Sequence, residues 1–156
     1  MDRDFIAKAE EAAEAAGHPF PTDAACEAAL ESGYGASGLA KRANNLFGMK
    51  QHVHPVFGTL SLPTKEWVGV EKDTQDGVPD GWITVSANWV SYPDWSSCFA
   101  DRLNTLQRMA PKYPHYAAAL AAMDGETFVR EVSKTWSTDP KRADKVLAIK
   151  KLYLAQ

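Results

Sequence analysis

At 156 residues the chain is one domain's worth of polypeptide, long enough to bury a core without disulfide support. Its composition is that of an ordinary globular protein, with no low-complexity tract and no apolar run long enough to span a bilayer, so membrane insertion is not expected. A formal charge of −3 argues against a nucleic-acid partner, which would need a clustered basic face, and provides no attraction to anionic surfaces.

The N-terminal segment from Asp2 to about Ala16 places Phe5, Ile6, Ala9, Ala12, Ala13 and Ala16 on one stripe at helical spacing, with Glu10, Glu11 and Glu14 off it. It is charged and amphipathic rather than an apolar run with a cleavage site, so it does not read as a secretory signal. The chain is then a mature or trimmed form, or leaves the cytoplasm by another route. Gly17 closes this helix, and His18-Pro19-Phe20-Pro21 reads as a stiff connector in which His18 is a plain loop residue.

Thr22 is a good N-cap for a second helix carrying Ala25, Cys26, Ala29 and Leu30 inward. Glu31 falls where that helix should stop, because Gly33 and Gly35 follow at once. The helix C-terminus already carries partial negative charge, so a carboxylate there is disfavoured as an anion and becomes a candidate general acid. Glu27 lies one turn earlier on the same face. If charged and close it would raise the proton affinity of Glu31; the other reading is a solvated or cross-helix hydrogen-bonding group. Cys26 and Cys98 form no CxxC pattern and read as small core residues, a disulfide between them being a matter of geometry.

A short helix is expected from Ser37 to Arg42, followed by the turn-forming pair Asn44-Asn45. His52-Val53-His54 has no third ligand at metal-binding spacing and reads as a loop. Three β-like runs follow: Phe57 to Leu62, Glu66 to Val70 and Trp82 to Ala87. Between the last two, Asp76-Gly77-Val78-Pro79-Asp80-Gly81 reads as a turn or exposed loop whose spacing does not fit an EF-hand. The economical reading is a small antiparallel hairpin lobe, about residues 56–90, inserted in a helical domain that occupies residues 1–156.

Helix then resumes. Pro93-Asp94-Trp95 opens a segment with Phe99, Leu103, Leu106 and Met109 at helical spacing, ended by Pro111. Tyr113 to Met123 forms an alanine-rich helix, and Asp124 caps another with Phe128, Val129 and Val132 inward. Asp139-Pro140 starts the last helix, whose inward face carries Val146, Ile149, Leu152 and Tyr153.

One stretch is far more specific than these periodicities. Ala29-Leu30-Glu31-Ser32-Gly33-Tyr34-Gly35, then Leu39-Ala40, then Ala43-Asn44-Asn45-Leu46-Phe47-Gly48 resembles the ALESGWG…LA…ANNLFG motif of the bacterial glucosaminidase family of peptidoglycan hydrolases (glycoside hydrolase family 73). Tyr34 stands where that motif has tryptophan, and Glu27 where the family usually has a neutral residue, often glutamine. The resemblance continues at Thr64-Lys65-Glu66, similar to a T-x-E context, and at Asn88 to Trp95, similar to an F-R-x-Y-x-S-W segment. It ends at Trp136-Ser137-Thr138-Asp139-Pro140, similar to Y-A-T-D-P, where Trp136 replaces a tyrosine and removes its hydroxyl.

The resemblance implies a mainly α, lysozyme-like fold with a small β-hairpin lobe. It also implies an endo-β-N-acetylglucosaminidase that cleaves after N-acetylglucosamine in peptidoglycan, without a cofactor or metal. Glu31 would be the general acid and Glu66 the second carboxylate, which glycoside cleavage normally needs to activate water or stabilise the transition state. Asn45, Phe47, Tyr92 and Trp136 are the implied substrate-binding residues. Trp95, by contrast, reads as core, and Trp67, Trp82 and Trp89 have no role separable from packing. The partner would be the glycan strand, met by a monomer outside the cytoplasm or in the periplasm. Two rivals share the fold: a wall-binding module that has lost its chemistry, and a muramidase. A cysteine peptidase would need Cys26 or Cys98 in a polar setting beside a base, and neither sequence context supplies one.

Overall fold

The computed structural model describes residues 1–52, 56–67 and 82–155, with residues 64–67 described by backbone alone. The elements run α1 (Arg3–Ala15), α2 (Pro21–Ser32), α3 (Gly38–Ala43), β1 (Gly58–Trp67), β2 (Trp82–Ser91), α4 (Trp95–Met109), α5 (Pro114–Leu120), α6 (Gly125–Trp136) and α7 (Arg142–Leu154). Among the described residues the fold is mainly helical with one antiparallel pair of strands, as the sequence pattern predicts.

Local chemistry accounts for most helix starts. Asp2, Ser37, Asp94 and Asp124 each cap a helix by accepting a backbone N–H three residues on. Thr22 does not cap α2. Pro21 occupies the first turn, where its fixed φ favours the helix, and the Thr22 hydroxyl instead donates to Glu10 on α1. The last helix begins at Arg142 rather than at the Asp139-Pro140 pair, because Asp139 first forms a turn, its Oδ1 accepting from Lys141 N.

The helical layer is built around α2, whose Ala24, Ala25, Cys26, Ala28 and Ala29 are all buried. These small side chains admit α1 on one flank and α7 on another, while α6 also approaches. Phe5, Ile6, Ala9 and Ala13 of α1 face inward as the stripe predicts, and Cys26 and Cys98 are buried free thiols. On α4 the buried face is turned one residue from expectation. Arg102 and Thr105 are buried and Leu103 is only partly covered. Leu152, expected inward on α7, is 60% exposed, since the buried residues of that helix are Arg142 and Val146.

His18 is no plain loop residue. It is buried against Phe128 (ring centres 5.0 Å apart), and its Nδ1 accepts from Phe20 N at 3.0 Å.

The first predicted β run and the start of the second are one strand, pairing antiparallel with β2 from Gly58 opposite Ser91 to Trp67 opposite Trp82. Pro63 is tolerated because a two-stranded sheet leaves each strand an edge that needs no donor. Trp82, read as core, is 40% exposed, and Trp95 packs on Phe5 with ring centres 5.0 Å apart. The predicted Asp76 to Gly81 turn, residues 68–70 of the second run, and His54 lie outside the described residues.

Candidate active site

The end of α2 sets the site. Gly33, Tyr34 and Gly35 take φ values of 58°, 56° and 78°, a left-handed run that only glycine enters at little cost. Ser32 stitches this turn together, its hydroxyl donating to Ala28 O and accepting from Gly35 N. Tyr34 tolerates its φ with its ring set edge-on to Phe5, 6.1 Å between centres. The abrupt reversal leaves Glu31 on the last turn of α2 with its side chain 25% exposed.

Glu31 opens onto a groove of about 610 Å³. Phe47, Gly48, Met49 and Lys50 form one wall, Thr105, Arg108 and Met109 of α4 another, and Tyr116 and Trp136 complete it. The first wall is held by the asparagine pair. Asn45 is 1% exposed; its Nδ2 donates to Met49 O and Val90 O, and its Oδ1 accepts from Met49 N, all at 2.9 Å. Asn44, left-handed at φ 51°, donates from Nδ2 to Tyr92 O. The loop is thus sewn to β2, and Gly48 at φ 64° turns it.

These contacts correct two expected substrate-binding residues. The side chain of Asn45 is spent on backbone groups and is closed off from the groove, so it shapes the wall. Tyr92 is 3% exposed, packs on Phe57, and its hydroxyl donates to Asp101 at 2.5 Å; it is a core residue. Phe47 and Trp136 both line the groove with Glu31, their rings edge-on at 6.3 Å; Phe47 is itself buried against Phe99, and Trp136 is the partly exposed ring of the two. Glu66 lies on β1 opposite Ile83, and its side chain is outside the described residues.

Beneath Glu31 lies a chain of buried charges. Glu27 is fully buried and accepts two hydrogen bonds from Arg102, Nη1 to Oε1 and Nη2 to Oε2, both 2.8 Å. Arg142, 2% exposed, places Nη1 2.8 Å from Oε2 of Glu27 and donates from the same nitrogen to Ser133 Oγ. Its Nε donates to Oε1 of Glu31 at 2.8 Å. Burial alone would raise the Glu27 carboxyl, but the two guanidinium groups outweigh it and hold it at about 2. The Arg142 guanidinium is itself held above its ordinary range, since burial that would lower it is outweighed by Glu27 and Glu31.

Glu27 is therefore the cross-helix group of the two readings, its charge matched by the guanidinium groups of Arg102 and Arg142. The Arg102 guanidinium also lies 4.7 Å from the ring centres of both Phe47 and Trp136, which ties the ion chain to the groove lining.

Sequence reasoning missed Arg102 and Arg142. The available signal was a pattern: an arginine among the apolar positions of α4 (Cys98, Phe99, Leu106) and another one turn before Val146, facing a helix that carries two acids.

A larger hollow, about 790 Å³, lies over the α6–α7 corner. The one carboxylate in its lining, Asp139, is committed to Lys145 at 2.7 Å and to Lys141 N at 2.9 Å. In the smaller groove the carboxylate of Glu31 shares the lining with the aromatic residues Tyr116 and Trp136.

A helical domain carrying an antiparallel strand pair, with Glu31 lining a groove, is the mainly α, lysozyme-like architecture that the resemblance implies. A sequence model of the glucosaminidase family, described as mannosyl-glycoprotein endo-beta-N-acetylglucosaminidase, matches residues 6–154, and the chain belongs to this family. It is 31% identical over 152 residues to the peptidoglycan hydrolase FlgJ of Vibrio parahaemolyticus, an alignment covering 91% of this chain and 43% of that protein. The chain thus spans less than half the length of this relative.

Among solved structures the fold is similar to the catalytic domain of the autolysin Auto from Listeria monocytogenes (TM-score 0.74, 23% identity, 97% of this chain and 83% of that one). It is also similar to a C-terminally truncated glycoside hydrolase domain of Salmonella typhimurium FlgJ (TM-score 0.73, 24% identity, 99% and 98%). No helix among the described residues is long and apolar enough to cross a membrane.

Proposed function

We propose that this chain is a peptidoglycan hydrolase, an endo-β-N-acetylglucosaminidase that cleaves the bond after N-acetylglucosamine in the glycan strand, acting on the wall outside the cytoplasmic membrane. The observation that carries the reading is the placement of Glu31. In a member of the glucosaminidase family, it is the carboxylate lining a groove that also presents the partly exposed ring of Trp136. A partly exposed aromatic ring suits the face of a pyranose, while a carboxylic acid in the groove lining can protonate a glycosidic oxygen. Glu66, on the hairpin, is proposed as the second carboxylate that supports the oxocarbenium-like transition state or activates water. The peptidoglycan hydrolase activity borne in the name of the FlgJ relative supports the substrate class.

The test is digestion of purified peptidoglycan by the protein and by Glu31→Gln, followed by borohydride reduction and mass spectrometry. Fragments ending in reduced N-acetylglucosamine, absent with the variant, are expected. Reduced muramic acid would make the protein a muramidase. Wall binding without cleavage by either protein would make it a binding module.

A further inference from the structure

The geometry points to Arg142 as the positioning residue of Glu31, an inference that rests on the reading of Glu31 as the acid. A carboxyl side chain on the last turn of a helix, beside a glycine-rich reversal, has little of its own backbone to fix its rotamer. Arg142 supplies the fixing from another element. Its Nε–H holds Oε1 of Glu31 at 2.8 Å, and among the described residues no group hydrogen-bonds Oε2. The oxygen left over is the one that can carry a proton to a substrate in the groove.

Arg142 can do this because it is itself immobile. Its Nη1 is held by Ser133 of α6 and lies against Glu27, both at 2.8 Å, and its side chain is 2% exposed. Glu27 is in turn gripped at both oxygens by Arg102. The planar fork of arginine serves Glu27 and Glu31, one helical turn apart on α2, from one rigid group. Glu27 is an acid where the resembled family has a neutral residue, and it supplies the charge against which Arg142 is buried. The aim of the acid is therefore set by α7, the last helix of the chain.

The experiment is a double-mutant cycle on the rate of reducing-end release from purified peptidoglycan, using Arg142→Gln, Glu31→Gln and the double variant. Thermal melts check folding, and co-sedimentation with sacculi measures binding. Glu27 keeps both bonds to Arg102 in Arg142→Gln, so no buried anion is orphaned. The expected result is a loss on the order of 100-fold in rate at unchanged binding, the cost of an acid displaced by about 1 Å. In the Glu31→Gln background the same change should cost less than twofold. Should Arg142→Gln not fold, Arg142→Lys retains the buried charge. It should still lose at least tenfold, because one ammonium cannot reproduce the fork.

An unimpaired rate in the folded Arg142 variant overturns the proposal. So does an equal factor lost in both backgrounds, which is what a merely structural group would show. If Glu31→Gln alone cleaves as fast as the parent, the reading of the acid falls and this one with it, a failure visible in that single variant.

Discussion

Acidification should weaken this fold well before ordinary carboxylates titrate, and the responsible group is His18. It is 5% exposed between α1 and α2, with Nδ1 accepting from Phe20 N, so its proton sits on Nε2, which has no partner among the described residues. Burial first, and the charge of Arg102 second, lower its pKa from 6.5 to about 4, with Glu27 opposing weakly. In the unfolded chain the imidazole takes its proton near pH 6.5, so between there and pH 4 the unfolded state holds the extra proton. Stability is then complete above pH 6.5 and falls by about 1.4 kcal/mol per pH unit below it. The loss is about 2 kcal/mol at pH 5 and about 3 kcal/mol near pH 4, against a typical total of about 5–15 kcal/mol.

Glu27 adds to the acid side. Its pKa is held at about 2, so its contribution is complete above about 4.5 and is lost as pH falls through about 2. Urea unfolding at pH 7.5, 6.5 and 5.0 reads the His18 window, with His18→Asn as the control. Asparagine can still accept from Phe20 N but cannot charge, so the variant should be less stable at pH 7.5 yet nearly flat down to pH 5. Equal stability of the parent at pH 7.5 and 5.0, or the same slope in the variant, would refute the argument.

Arg102→Met should destabilise by about 3 kcal/mol, the lower end for breaking a buried ion pair, because Arg142 still faces the stranded Glu27; urea midpoints measure it. Gly35→Ala should cost about 2 kcal/mol, and thermal melting reads the loss. Its φ of 78° is left-handed, and an added Cβ would sit 2.9 Å from Cε2 of Phe5.

Much of this protein is written locally. The caps Asp94 and Asp124, the stripe of α1 and the glycine stop after Ser32 are short-range statements, and the elements form where those statements place them. The same locality put Glu31 at a helix end, and the motif around it was specific enough to mark the family from residues alone. Phe47 and Trp136, singled out by the same resemblance, both line the groove beside Glu31.

What the chain alone could not show was which polar side chains turn inward. Asn45 and Tyr92 carry groups able to bind a sugar, yet they are used up on Met49, Val90 and Asp101, partners that arrive only when β2 and α4 are in place. Arg102 and Arg142 look like surface residues in a sequence of ordinary charge. They are buried because α4 and α7 converge on the acids of α2 from 75 and 111 residues away. Burial of a charge is decided by whether an opposite charge is waiting at that point in space, and no local pattern encodes that meeting. The sequence marked most of the helices and the carboxylate Glu31 at the end of α2; only the tertiary structure decided which buried cation meets that carboxylate.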